Sequence, residues 1–484
     1  MSSGAPAPSR LPALDALRVI AAAAVVGTHV GFTTGVTGAT AWGDLLARLD
    51  VGVAVFFVLS GFLLFRPFAY AVANGARRPG ARRYLWRRAL RILPAYWLTV
   101  LVCLAVLPGD AEVPREDWLR FATLTQIYER GHLQAGLGHT WSLATEAAFY
   151  LLLPLVAGPV LGAVWRPRRT VVLLCVGGAT ITGGWLVAMA AGGLDMGLHT
   201  MWLPAFAIWF AAGMALATAH VAIESGTAPA RWSVLTEAGR APLTCWALAA
   251  GLFVIAATPL TGPRDLTEPT PGQFGTRVVL FLAVAVAVVL PTAFAAAGPV
   301  RTALSSPAAR WLGTISYGLF LWHPFVLTLI HPDEGTASLT DLVRTYVLTV
   351  AGALALAAAS WYALEQPVQR LGRRRRGSKA SPSADQPKPV DQNSTADKPR
   401  PTDQNPTVDK SRPAERNPAL DQAPAAEQSQ ATDQAPAPDQ TPAANQAQAP
   451  DQSRTTEQAP TSEPGQDDEQ KQSASQATVA EQPA

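Results

Sequence analysis

Four ionisable side chains sit within otherwise apolar runs of the chain: Arg18 and His29 in the first run, Glu146 where the fourth opens, and His323 in the ninth. Charge in such surroundings is costly, so each position is a functional candidate by default. A neutral imidazole can take a proton near neutral pH, and a carboxylate can orient it or offset its charge. That pairing equips a site for general-base or nucleophilic catalysis. Eleven residues separate Arg18 from His29, close to three helical turns, so both should share one face with Arg18 ~16 Å nearer the start of the run. At ~1.5 Å per residue, His29, His323 and Glu146 all fall ~20–22 Å from the same edge of a ~30 Å apolar layer. One polar cavity is expected to hold them. The competing readings are structural: a snorkelling Arg18, and packed His29 and His323, the latter between Trp322 and Pro324. Glu146 needs a partner, with His or Arg expected.

The second feature is basic. Arg66, Arg77, Arg78, Arg82, Arg83, Arg87, Arg88 and Arg91 follow one another with no acid between them. A guanidinium grips phosphate through a planar fork, so a phosphorylated small molecule or anionic lipid is the implied partner. Arg88 and Arg91, one turn apart where the third run begins, are expected to face the interior. Orientation signalling and lipid contact are the plainer reading of the cluster.

The elements that must position these groups follow from composition. Of 484 residues, 49% are hydrophobic and 15% charged, against about 25% charged in a soluble domain. From residue 377 onward there is no Phe, Trp or Tyr, and the net charge is −8. Residues 1–376 carry +11, and every basic residue there is an arginine. A span needs ~20 apolar residues. Ten are expected, beginning near Leu14, Val51, Tyr84, Thr140, Thr170, Met201, Leu243, Thr276, Arg310 and Leu342, the seventh (Leu243–Leu260) being shortest. The fold class is therefore an all-α polytopic membrane protein. Asp117–Tyr128 is amphipathic and too short to cross, which suits an interfacial helix. Placing both termini in the cytoplasm puts 22 of the 29 arginines in residues 1–376 on the inner side and 13 of the 18 acids on the outer side, as the positive-inside rule asks. The first run is read as an uncleaved span after a short lead, residues 1–10. Residues 11–376 form the membrane domain.

Residues 377–484 are expected to be a disordered cytoplasmic tail rich in Gln, Pro, Ala and Asp, since a segment without aromatics buries too little apolar surface to fold. It repeats Asp-Gln, as at Asp385-Gln386 and Asp451-Gln452. A flexible polar tether is the simplest role, with docking of a protein partner as the alternative. Cys103, Cys175 and Cys245 lie far apart with no metal or disulfide spacing, so no metal site is expected. Nothing points to nucleic acid.

At these residues the chain resembles the acyltransferase 3 family of integral-membrane acyltransferases. Leu14-Asp15-Ala16-Leu17-Arg18 with His29 is similar to that family's first-span pattern, and Phe56-Phe57-Val58-Leu59-Ser60-Gly61 to its second span. Arg87-Arg88-Ala89-Leu90-Arg91 resembles its basic motif. Thr140-Trp141-Ser142-Leu143-Ala144-Thr145-Glu146, running on to Phe149-Tyr150, looks like its Trp-Ser-Leu-x-x-Glu signature. Ser316-Tyr317-Gly318 through Trp322-His323, and Leu364-Glu365-Gln366-Pro367, match its closing motifs. Ala54, Ala147 and Ala148 replace acids or Gln common in the family, and Ala16 a common Gly. The resemblance implies transfer of an acyl group, commonly acetyl, from cytosolic acyl-CoA to a hydroxyl of a surface polysaccharide, glycolipid, peptidoglycan or glycosylated natural product. Acyl-CoA would be a co-substrate, with no tightly bound cofactor. His29, Glu146 and Arg18 would be catalytic, and Arg88, Arg91 and Arg87 would bind the donor. Asp15, Ser60, Trp141, Ser142, Tyr150, Tyr317 and His323 would line the cavity. The setting would be a plasma membrane, bacterial by the Arg- and Ala-rich composition. A proton-coupled exporter or flippase would use similar groups, although no duplication of the spans is evident. A scaffold would leave the buried His and Glu without a role.

Overall fold

The computed structural model describes residues 11–377 except 41, 108–113, 130–133, 266 and 332–336. The lead of residues 1–10 and the tail from residue 378 onward lie outside the described residues. Every regular element among those described is helical. In chain order they are α1 (Ala13–Thr33), α2 (Gly43–Ala47), α3 (Val51–Ala73), α4 (Ala81–Val106), α5 (Arg115–Thr123), α6 (Trp141–Leu161), α7 (Pro167–Ala190) and α8 (Met196–His199). There follow α9 (Ala207–Glu224), α10 (Ser233–Arg240), α11 (Pro242–Ala256), α12 (Pro271–Ala293), α13 (Pro299–Leu304), α14 (Pro307–Ile330), α15 (Leu339–Ser360) and α16 (Gln366–Gly377).

Local chemistry sets where many of these begin. Pro167, Pro242, Pro271 and Pro307 each stand at the first helical turn, where a missing N–H costs nothing. Ser306 and Ser338 cap α14 and α15, and Thr270 with Gln273 closes a capping box on α12. The outward faces stay apolar: Leu155 on α6, Val187 on α7 and Leu243 on α11 are 72%, 68% and 70% exposed. A helix apolar on its outer face as well as its inner one belongs in lipid.

Among the described residues nine helical segments are long and apolar enough to cross a membrane. The expected seventh span is the exception: α11 has 15 residues, ~22 Å, and meets α10 at 85°. Helix directions decide its role. α9 and α12 run parallel, with Phe206 on Phe274, the Trp209 indole donating to the Val278 carbonyl at 2.9 Å, and His220 against Phe294. Two parallel neighbours need a return pass between them. α11 supplies it, antiparallel to α12, with the Trp246 indole reaching the Val288 carbonyl. α14 likewise runs parallel to α1. Among the described residues the chain thus passes through the bundle ten times, nine of them by a long helix and once by α11, and α5 stands outside that set as a short surface helix.

Alternation of the passes gathers the starts of α1, α4, α7 and α14 and the ends of α3, α6, α9 and α15 at one end of the bundle, here the arginine end. His29, His139 and His323 lie toward the other. Close crossings hold the core together. A Cβ on Gly313 would strike Asp15, and one on Gly318 would strike Ala357 of α15. Gly61 of α3 and Gly213 of α9 face each other's backbones with no room for a side chain.

Candidate active site

α1 and α14 carry the centre of the site. Their parallel packing, Gly313 on Asp15 at the arginine end, brings His29 against His323 near the far end: His29 Nδ1 lies 3.0 Å from His323 Nε2. His323 is fully buried, and its Nδ1 lies 2.8 Å from the Phe320 carbonyl. A carbonyl only accepts, so His323 Nδ1 carries hydrogen and the Nε2 of the neutral ring carries a lone pair. His29 must then donate from Nδ1. The relay leaves His29 Nε2 unprotonated. That nitrogen is positioned to take a proton.

A third imidazole completes the cluster. His139, in the 3-10 turn before α6, packs edge-on to His323 and His29 with ring centroids 5.1 and 6.5 Å apart. It is buried; neither ring nitrogen meets full hydrogen-bond geometry, and the nearest acceptor is the second lone pair of the Phe320 carbonyl, which also accepts from His323. Sequence reasoning missed His139 because Gly138-His139 precedes the span and reads as loop. Its position two residues before Trp141 was the available signal. No group of three or more His, Cys, Asp or Glu among the described residues is arranged to hold a metal ion.

Phe320 joins this cluster to the second part of the site. Its ring touches His139 at 4.9 Å and forms a wall of a small pocket shared by Glu146, Arg18, Ser142, Ser316 and Tyr317. The side chain that bonds Glu146 is Ser60 of α3, whose hydroxyl donates to Oε1, rather than a histidine or arginine. Tyr150, one turn along α6, is a further hydrogen-bond neighbour of Glu146 and lies 6.0 Å beneath the Arg88 guanidinium. The Tyr317 hydroxyl donates to the Ile92 carbonyl of α4. Arg18 lines the Glu146 pocket from α1.

The arginine end opens into a cleft with about 420 Å³ of free space, where Asp15, Arg66, Arg91, Arg310, Trp361 and Gln369 converge. Arg66 is engaged, pairing with both Glu224 oxygens at 2.9 Å. Arg91 lies close enough to Arg18 and Arg88 for each to act on its charge, so the cationic positions continue from the cleft toward the Glu146 pocket. Arg87 is exposed on the outer side of α4. Of the positions singled out from sequence, Arg18, Ser142, Glu146 and Tyr317 line one pocket, His29 and His323 bond each other beside it, and Asp15 and Arg91 line the cleft. Trp141 faces a separate cavity. Arg310, read from sequence only as the start of a span, is a member of the cleft.

A family profile described as an acyltransferase domain matches residues 11–364. The chain belongs to the acyltransferase 3 family. Among curated members of wider kinship, it is 25% identical over 379 residues to the peptidoglycan O-acetyltransferase OatA of Listeria monocytogenes, covering 75% of this chain and 56% of that protein. It is 26% identical over 384 residues to the putative peptidoglycan O-acetyltransferase YrhL of Bacillus subtilis, covering 75% and 55%. The exopolysaccharide production protein ExoZ of Rhizobium meliloti shares 27% identity over 333 residues, 67% of this chain and 91% of that one. The chain thus spans about half the length of the first two relatives. No solved structure matches it. Within the family match lie all three imidazoles, the Glu146 pocket and most of the arginine cleft.

Proposed function

We propose that the protein is a membrane O-acyltransferase that moves an acyl group, acetyl in the first instance, from acyl-CoA to a hydroxyl of a carbohydrate-containing acceptor. The observation that carries this reading is the relay Phe320 C=O···His323···His29, which leaves His29 Nε2 with a free lone pair. The kinship to two peptidoglycan O-acetyltransferases and an exopolysaccharide protein supports the acceptor class. The arginine end would face the cytosol of a bacterial cell, following the bias of basic residues.

In this mechanism Arg91 and Arg310 hold the CoA phosphates in the cleft, with Arg88 beside them. The pantetheine arm spans ~15–20 Å at ~1.5 Å per bond, and Asp15 at the cleft lies fourteen residues, ~21 Å along α1, from His29. The arm and the path are thus of similar length, and a thioester near the histidines requires the CoA phosphates to sit at the inner part of the cleft, beside Arg91 and Asp15. His29 Nε2 takes the proton of the acceptor hydroxyl as its oxygen bonds to the thioester carbonyl carbon. An N–H of His139, whose ring centroid lies 6.5 Å from that of His29, would donate to the oxyanion so formed. Breaking the C–S bond releases CoA as a thiolate, which receives the proton back from His29. While the proton is held, its charge is shared through the hydrogen bond to His323, with the carboxylate of Glu146 in the adjoining pocket. Apolar walls of Phe56, Phe57 and Phe320 limit access of water to the thioester.

The test uses purified protein with radiolabelled acetyl-CoA and base-treated, de-O-acetylated glycan strands from peptidoglycan and exopolysaccharide. Label on glycan together with free CoA thiol is expected; release of neither would sink the reading. Two variants refine it. Arg91→Ala is expected to weaken acetyl-CoA binding ~10- to 100-fold, the loss of a charge-assisted phosphate contact of ~1.5–3 kcal/mol, as measured by calorimetric titration. His323→Leu removes the acceptor that fixes the His29 tautomer and should lower kcat ~100-fold. CoA affinity should be unchanged, a split that misfolding would not produce.

A further inference from the structure

Above the Glu146 pocket, toward the histidine-bearing end, a second cavity of about 210 Å³ is unexplained by the donor chemistry. It is walled by Asp50 just before α3, Trp141 at the start of α6, Phe206 just before α9 and Trp209 within it, and Phe274 and Arg277 in α12. Its volume corresponds to about seven waters. Val53 belongs to the walls of both cavities, and the adjacent residues Trp141 and Ser142 face one each. Trp141 is also two residues from His139. The cavity therefore adjoins the reacting centre from the side away from the arginine cleft.

Its polar groups are arranged for something that is neither of them. Asp50 Oδ1 is buried and has no hydrogen-bond partner. The two nearest arginines are turned elsewhere: Arg48 donates to the Thr261 hydroxyl and to the Gly262 and Pro263 carbonyls at 2.9, 2.6 and 2.7 Å, and Arg277 Nε to the Thr261 carbonyl at 3.0 Å. Both brace the loop that follows α11. A buried carboxylate oxygen without a donor is expensive, and is repaid where a ligand brings the hydrogen. The remaining wall is aromatic, with Trp141 lying 5.6 Å from Phe206 and Phe206 4.6 Å from Trp209.

We infer that this cavity is the acceptor subsite and that it takes one neutral sugar ring. Such a ring offers hydroxyl donors to Asp50, oxygen acceptors to the outer guanidinium of Arg277, and an apolar C–H face to the indoles of Trp141 and Trp209. One acid and one base leave the cavity without net charge, which favours an uncharged ring over an anionic one. This inference rests on the acyltransferase reading. It goes further by assigning acceptor recognition to Asp50, Trp141 and Arg277, and by bringing donor and acceptor to His29 from opposite ends of the bundle.

The experiment compares full-length wild type with Asp50→Asn, which keeps the shape and removes the charge, and with Trp141→Leu. Each is assayed for transfer from labelled acetyl-CoA to the same de-O-acetylated glycan strands, and for acetyl-CoA affinity. Both variants are expected to raise the half-saturating glycan concentration about tenfold or more while the acetyl-CoA Kd stays within about twofold. Retained CoA binding in either variant reports that it is folded. If wild type transfers and a folded variant keeps the wild-type glycan KM, the subsite assignment is overturned and the acyltransferase reading stands. If wild type consumes acetyl-CoA only with non-carbohydrate acceptors, or with none, the acceptor class itself is wrong and the subsite falls with it.

Discussion

His29→Ala is expected to lower acetyl transfer about 10³-fold while leaving the affinity for acetyl-CoA at its wild-type value. The size follows from the role: a positioned general base contributes ~10²–10⁴-fold, and among the described residues none replaces it. His323 Nδ1 is committed to the Phe320 carbonyl and its Nε2 to His29, while the His139 ring lies 6.5 Å from that of His29 and beside the same Phe320 carbonyl. Gln at position 29 retains polarity but cannot take a proton at working pH, so His29→Gln should be as inactive as His29→Ala. Equal CoA thiol release from wild type and His29→Ala, under conditions where labelled glycan forms, would remove His29 from the chemistry. Partial activity in His29→Gln would recast it as a hydrogen-bonding group and not a base.

The second large effect is on the scaffold. Gly213→Val should cost about 3 kcal/mol or more of stability, seen as a lowered Tm or as aggregation on extraction into mild detergent. A Cβ at Gly213 would collide with the Val58 carbonyl and come within 2.8 Å of the Phe62 backbone nitrogen. Gly61 faces the Phe210 carbonyl in the same way. Backbones that approach so closely cannot yield as a side chain does, and small residues are how helices associate in lipid, where no hydrophobic drive separates protein from solvent. The site depends on this crossing, since α3 carries Ser60 to Glu146 and Phe57 stacks on Phe210 at 4.5 Å. A Gly213→Val protein that melts with the wild type would show that the two helices can separate without loss.

Much of this was legible before any coordinates. Runs of apolar residues mark the passes and their order, because crossing a membrane is a local requirement on length and polarity. The rise per residue was enough to place His29 and His323 at one depth, and they bond at 3.0 Å. Arg18 and Glu146 likewise share a pocket. The weakest span was also visible as such: α11 is short by composition, and only the parallel packing of α9 and α12 requires it to carry the chain across.

What needed the tertiary structure was every pairing between helices. No spacing rule tells that Ser60 rather than an imidazole donates to Glu146, that His139 turns inward from what reads as loop, or that Arg310 joins Arg91 in one cleft. Nor does spacing indicate that Asp50, Trp141 and Arg277, drawn from α3, α6 and α12, enclose one cavity. The reason is physical. Position along a helix is set by a fixed 1.5 Å rise, so depth can be counted from sequence. Which faces meet is set by where small residues allow two backbones to close, and by what each side chain finds on the other side once they have.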